Sequence, residues 1–173
     1  MQDKKLYTVI LFTQNLPGVL YRIADLFLRR KVNIESLTVS ELEEMQMSRF
    51  TIVVKLDQAT IEKLVKQLYR IIEVVKVYEK TDDELFYLDL ILLKVSIETV
   101  AKREEVESLA RLTHAVISYV DQDYLIIQKA GTEEEINHLF TVLKPFGIKE
   151  HVRSGRIAVF KGNAKPLGEK GKE

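Results

Sequence analysis

The 173-residue chain contains no cysteine, which excludes disulfides, zinc thiolates and a thiol nucleophile. It has no net charge either, since 26 Lys and Arg balance 26 Asp and Glu. Nucleic-acid and anionic-membrane binders mostly rely on a sequence-independent attraction that such a chain lacks, so neither partner is expected. No apolar run approaches the ~20 residues that span a bilayer. The apolar run at 6–12 is also too short for a signal-peptide core, and Gln14 and Asn15 follow it directly. A cytoplasmic location is expected. The seven glycines build neither a G-x-G-x-x-G nor a G-x-x-x-x-G-K-S/T phosphate loop, and no G-x-S-x-G elbow occurs. His114, His138 and His151 stand apart, without metal-ligand spacing. They read as a helix end, a helix face and a strand residue. The sequence therefore predicts no metal site, no cofactor site and no catalysis by this chain alone.

What is present is a pattern written twice. Residues 6–13 are rich in β-branched and aromatic side chains and predict a strand. Leu20, Ile23, Ala24 and Phe27 follow at helical spacing, with Arg29, Arg30 and Lys31 closing the helix where cations suit its dipole. Strands are predicted at 33–39 and 49–56, joined by the acidic turn 41–44. Asp57 or Thr60 can cap a second helix carrying Ile61, Leu64, Val65 and Leu68, and a strand at 74–78 closes the unit. The order is β-α-β-β-α-β, the ferredoxin-like arrangement. The charged stretch 79–84 reads as a linker.

The same order then restarts. Strands are predicted at 86–97, 115–120, 124–129, 148–152 and 156–160. Thr99 opens one helix, and Thr132 with Glu135 forms a capping box for another bearing Ile136, Leu139, Phe140 and Leu143. The expected fold is α+β, two ferredoxin-like domains in tandem, with boundaries 1–80, 81–162 and a frayed tail over 163–173. A domain of about 80 residues buries little more than ~60% of its unfolded surface. Its helices also cover only one sheet face, leaving the other face and the edges to be covered. Pairing between halves or between chains, with a homodimer preferred, is the expectation. An RNA-recognition reading fails on the strands at 6–10 and 49–54. Tyr7 and Phe50 are present, but the glycines and basic flanks of that motif are not.

One segment carries a more specific signal. Asn15-Leu16-Pro17-Gly18 breaks the first strand and leads straight into a helix N-terminus. The free N–H groups of Gly18, Val19 and Leu20 favour a carboxylate there, and Gly18 allows close approach to the backbone. Asn15 offers both a donor and an acceptor, suited to a zwitterion. A well-made turn with Pro near the first helical position accounts equally well for the pattern.

This segment, together with Asn33-Ile34-Glu35-Ser36-Leu37-Thr38-Val39 and Ser48-Arg49-Phe50, closely resembles the ACT domain of the acetolactate synthase small-subunit family. The likeness continues through residues 66–70 and 74–77 and resumes at 130–132 and 153–155, so it covers nearly the whole chain. The resemblance implies a non-catalytic subunit that dimerises through its ACT domains into a continuous sheet and binds branched-chain amino acids, chiefly valine, at the interface. It implies a large catalytic partner that uses thiamine diphosphate, Mg²⁺ and FAD. The small subunit raises that partner's activity and confers feedback inhibition. Matched by position, the family's effector contacts fall on Asn15, Pro17, Gly18, Val19, Leu20, Asn33 and Ile34. Where the family has Gly and an aromatic residue, this chain has Lys31 and Val32. Lys31 must then take a left-handed conformation at the helix end, or the chain must exit differently. A stand-alone ACT-domain amino-acid sensor without an enzyme partner is the competing reading.

Overall fold

The structure, a computed structural model, describes residues 4–42, 45–162 and 167. They fall into two compact units, one drawn from Met1–Tyr87 with Arg156–Glu173 and the other from Leu88–Gly155.

In the first unit, β1 (Lys5–Gln14), β2 (Ser36–Leu42), β3 (Met47–Leu56) and β4 (Val74–Lys80) form an antiparallel sheet in the order β2-β3-β1-β4. Helix α1 (Val19–Arg29) joins β1 to β2, and α2 (Gln58–Leu68) joins β3 to β4. The two-residue period of β1 turns Tyr7, Val9 and Leu11 towards the helices. There they share a core with Ile23 and Phe27 of α1 and with Ile61, Leu64 and Leu68 of α2. Asp57 is the cap of α2. Its carboxylate accepts from the Thr60 N–H at 3.0 Å and from the Thr60 hydroxyl at 2.8 Å.

The α1 stripe differs from the expected one. Its buried residues are Val19, Ile23 and Phe27, whereas Leu20 is 47% exposed and Ala24 is also exposed. The helix rests on the sheet along its i, i+4, i+8 row and turns the neighbouring row, Leu20, Ala24 and Leu28, away from the core.

The second unit repeats the topology. Strands β5 (Leu85–Ser96), β6 (Val116–Val120), β7 (Tyr124–Gly131) and β8 (Ile148–Arg153) lie in the order β6-β7-β5-β8, with α3 (Val100–Leu112) and α4 (Glu133–Leu143) as connections. Thr99 caps α3, and Thr132 and Glu135 close the expected capping box on α4. Ile91, Leu93 and Val95 pack against Val106, Leu125, Ile127, Ile136, Leu139 and Leu143.

Two expectations about the junctions are corrected. Residues 79–84 are not a loose linker. β4 runs to Lys80, and Asp82–Glu84 forms one 3₁₀ turn in which Thr81 and Glu84 cap each other reciprocally before β5 begins at Leu85. The segment after Gly155 does not close the second unit either. Strand β9 (Ile157–Phe160) pairs with β5, and Ala158 and Phe160 pack with Ile10, Phe12 and Leu85. The physical reason lies in β1, whose Ile10 and Phe12 point away from the helices and need their own apolar cover. Of the tail expected over 163–173, only Leu167 is described, and it packs against this second cluster. Among the described residues, no helix is long and apolar enough to cross a membrane.

Candidate functional site

The loop after β1 is held at both ends. The Asn15 N–H donates to the Gln46 carbonyl at 3.1 Å. The Asn15 side chain is oriented as well, because its Oδ1 accepts from Ser48 Oγ at 2.9 Å and its Nδ2 donates to Glu41 Oε1 at 2.8 Å. Ser48 is buried and Asn15 exposed, so the carboxamide bridges the fixed end of β3 and a carboxylate near the end of β2. Asn15 therefore has an internal role that sequence reasoning did not assign, and its amide groups already have partners. Any ligand placed at this loop would meet an Asn15–Glu41 pair rather than a free amide.

Gly18 is the N-cap of α1, with φ 87° and ψ −9°, and supplies no side chain to the first turn. A Cβ placed there would touch nothing within 4 Å. Its glycine character answers a left-handed backbone rather than a crowded one. On the far side of the turn, Arg22 of α1 pairs with Glu73, whose carbonyl also accepts from the Gln14 N–H at 2.9 Å. The helix start is thus fixed to the strand end by two bonds to one residue.

The remaining expected residues divide by exposure. Pro17 and Leu20 are exposed and can face a ligand, whereas the Val19 side chain is in the core. The Val19 N–H points at the Leu16 carbonyl at 3.4 Å, which leaves that donor only weakly engaged. Ile34 and Val32 pack against the core from its rim. Asn33 is exposed, with its Nδ2 on Glu35 Oε1 at 3.2 Å. Lys31 takes the left-handed alternative, at φ 54°. Its N–H donates to the Leu28 carbonyl at 2.9 Å and the Val32 N–H to the Phe27 carbonyl at 3.0 Å. These are the two bonds of a Schellman ending, formed without the glycine.

One chain does not bring all these residues together. Asn15 is bonded to Glu41, near the C-terminal end of β2, whereas Asn33 precedes the N-terminal end of the same strand. Ser36 and Glu41 alone are separated by about 17 Å at the usual strand rise. β2 is also an edge strand, with β3 as its neighbour in the sheet. Glu41 and Ser48 were not among the expected site residues. Glu41 sits in what reads as an acidic turn, and Ser48 is marked only by its place opposite Thr13 at the start of β3.

The three histidines lie where the pattern puts them. His114 is at the α3 end in a left-handed conformation, His138 is on α4, and His151 is on β8, edge-on to Phe140 at 5.1 Å.

Comparison with known proteins adds the family. Residues 9–76 match the model of the AHAS small subunit-like ACT domain, and residues 88–162 match that of the small subunit of acetolactate synthase. A probable acetolactate synthase small subunit from Archaeoglobus fulgidus is 39% identical over 159 residues, which covers 92% of this chain and 99% of that one. The chain belongs to the acetolactate synthase small-subunit family. The acetolactate synthase small subunit of Mycolicibacterium smegmatis is 36% identical over 156 residues, covering 90% of this chain and 91% of that protein. The crystal structure of the small subunit from Thermotoga maritima superposes with a TM-score of 0.85 at 31% identity, covering 92% of this chain and 99% of that one. The first unit is thus an ACT domain of this family, and the tandem ferredoxin-like fold is shared along nearly the full chain.

Proposed function

We propose that this small subunit is the non-catalytic regulatory partner of an acetolactate synthase catalytic subunit, in branched-chain amino-acid biosynthesis. It raises that subunit's activity and transmits feedback inhibition by valine bound between two ACT units. Thiamine diphosphate, Mg²⁺ and FAD belong to the catalytic partner.

The observation that carries the reading is the placement of Asn15 and Asn33 towards opposite ends of the edge strand β2. When two such edges pair antiparallel about a two-fold axis, the start of one strand lies beside the end of the other. Asn33 of one copy then meets the Asn15–Gly18 loop of its partner, and two identical half-sites become two complete ones. The rest of the edge suits this pairing. Leu37 and Val39 of β2 and Leu20 and Leu28 of α1 are apolar yet 36%, 46%, 47% and 75% exposed, a pattern that favours a partner surface over water. In the complete site the N-terminus of α1 receives the effector carboxylate. The Asn15–Glu41 pair and the partner's Asn33 receive its ammonium, and Pro17, Leu20 and Ile34 receive the branched side chain.

Any effect on the catalytic subunit is limited to the difference in valine affinity between two states of the dimer, typically ~1–3 kcal/mol. Calorimetry with valine, leucine and isoleucine, paired with catalytic-subunit rates on mixing, tests the proposal. Valine heat and a valine-sensitive rate increase are expected. Asn33→Ala weakens the binding while the dimer persists. Absence of heat with all three amino acids contradicts the effector site, and heat without any effect on the enzyme rate points to a stand-alone sensor.

A further inference from the structure

The outer face of the first unit's sheet, away from α1 and α2, carries a fixture that the effector reading does not use. Ser36 of β2, Val53 of β3 and Thr8 of β1 stand in one row across it. Arg156 lies along this row. Its N–H donates to Ser36 Oγ at 3.0 Å, and its carbonyl accepts from Thr38 Oγ1 at 2.9 Å. Its side chain reaches across to β1, where the guanidinium donates to Thr8 Oγ1 at 2.9 Å and pairs with Asp82. It also lies over the Tyr87 ring, 3.8 Å from the centroid. Arg156 is only 5% exposed, and its backbone N–H, its carbonyl and its Nη1 are all engaged within the protein.

The following residues continue the hold. The Ala158 carbonyl accepts from the Arg49 guanidinium on β3, and the Lys161 N–H donates to the Glu84 carbonyl at 3.1 Å. The Arg156 guanidinium is held by one carboxylate, a hydroxyl and an aromatic face, a geometry that fixes where the segment lies and that is costly to break by removing one partner.

The position matters because of which strand is gripped. Ser36 and Thr38 belong to β2, three and five residues after Asn33. As an edge strand with one sheet neighbour, β2 is less constrained than the central strands β3 and β1. The segment that grips it begins where the chain leaves the second unit, at Gly155, which itself takes φ 81°.

We propose that the Arg156–Lys161 segment is the strap by which effector occupancy at β2 is relayed along the chain towards the second unit. The proposal rests on the effector site described above. Ordering of β2 by a bound amino acid is passed through the Ser36 and Thr38 hydroxyls to the Arg156 backbone. The Asp82–Thr8–Tyr87 setting of the guanidinium keeps the strap seated while this happens. Coupling of this kind needs no large movement, only that one segment be ordered by what orders the other.

Hydrogen–deuterium exchange of the full chain with and without saturating valine tests it, alongside calorimetry on the same samples. In the unaltered protein valine is expected to slow exchange in 33–39 and also in 156–161. In the double variant Ser36→Ala, Thr38→Val, which leaves Arg156 with Asp82 and Thr8, protection of 33–39 persists and that of 156–161 is lost. Valine heat with unchanged exchange at 156–161, or protection of 156–161 that survives the double variant, overturns the relay alone. No valine heat overturns the effector site and the relay with it.

Discussion

Gly18 and Lys31 bracket α1 in the same left-handed region of backbone space, at φ 87° and φ 54°, but with different consequences. At Gly18 the residue type matches the conformation. At Lys31 a side chain is held in a conformation that costs an L-residue roughly 1–2 kcal/mol, and two Schellman hydrogen bonds hold it there. Lys31→Gly should therefore stabilise the protein by up to about 1 kcal/mol, after the greater unfolded-state entropy of glycine is counted. The urea midpoint should rise at unchanged slope, and a fall would show that the Lys31 side chain holds more than its backbone suggests.

Capping carboxylates supply a second residue-scale prediction. The Thr60 hydroxyl, followed by the Thr60 N–H, holds the Asp57 carboxylate below its ordinary range. The Thr132 backbone does the same for Glu135, and the Lys80 ammonium for Glu84. Each folded value lies below the unfolded one. Their contribution is therefore complete above the usual carboxylate range, about 4, and is lost as pH falls through it. Thermal melts should weaken progressively below that range, and Asp57→Ala should flatten the loss.

At the scale of elements, the legible parts were those specified by neighbours in sequence. The capping pair Thr132 and Glu135, the cap at Thr99 and the stripe Ile61, Leu64 and Leu68 each state their helix within one or two turns. The α1 stripe misled because apolar residues lie on two adjacent rows, Val19-Ile23-Phe27 and Leu20-Ala24-Leu28, and spacing alone does not tell which row faces the sheet. β9 was legible as a strand but not by its destination. Its partners Ile10 and Phe12 lie some 150 residues away, and nothing local to 156–160 says which sheet needs covering. The structure makes that destination testable. Ala158 is 7% exposed against Ile10 and Phe12, so Ala158→Asp buries an unpaired charge. It should cost about 2 kcal/mol or more, read as a lowered urea midpoint. A neutral result would mean that β9 does not seal this face.

At the scale of the molecule, two small units with one-sided helix layers each face the same shortage of cover. In the first unit the sheet's outer face is closed by the chain itself, through Ala158, Phe160 and Leu167. The edge β2 and the outward row of α1 stay exposed, and the proposed dimer would cover them. The candidate site was legible as a segment, because Asn15, Gly18 and Asn33 are carried by the sequence itself. The separation of these residues was not, because only the fold reveals that Asn15 is tied towards one end of β2 while Asn33 enters at the other. Glu41 and Ser48 escaped for the same reason, since their role follows from strand register rather than from residue type.

The shared site is the central claim, and mixed dimers test it most directly. Gly18→Val disables the loop half, because a β-branched residue strongly disfavours that backbone, and Asn33→Ala disables the strand half. Each homodimer is expected to bind valine more weakly than the unaltered protein in calorimetry. Refolded together, the two variants form heterodimers in which one site carries both substitutions and the other carries neither, so binding should return at one site per heterodimer. A mixture that binds valine no better than its parents would contradict a site shared between two copies.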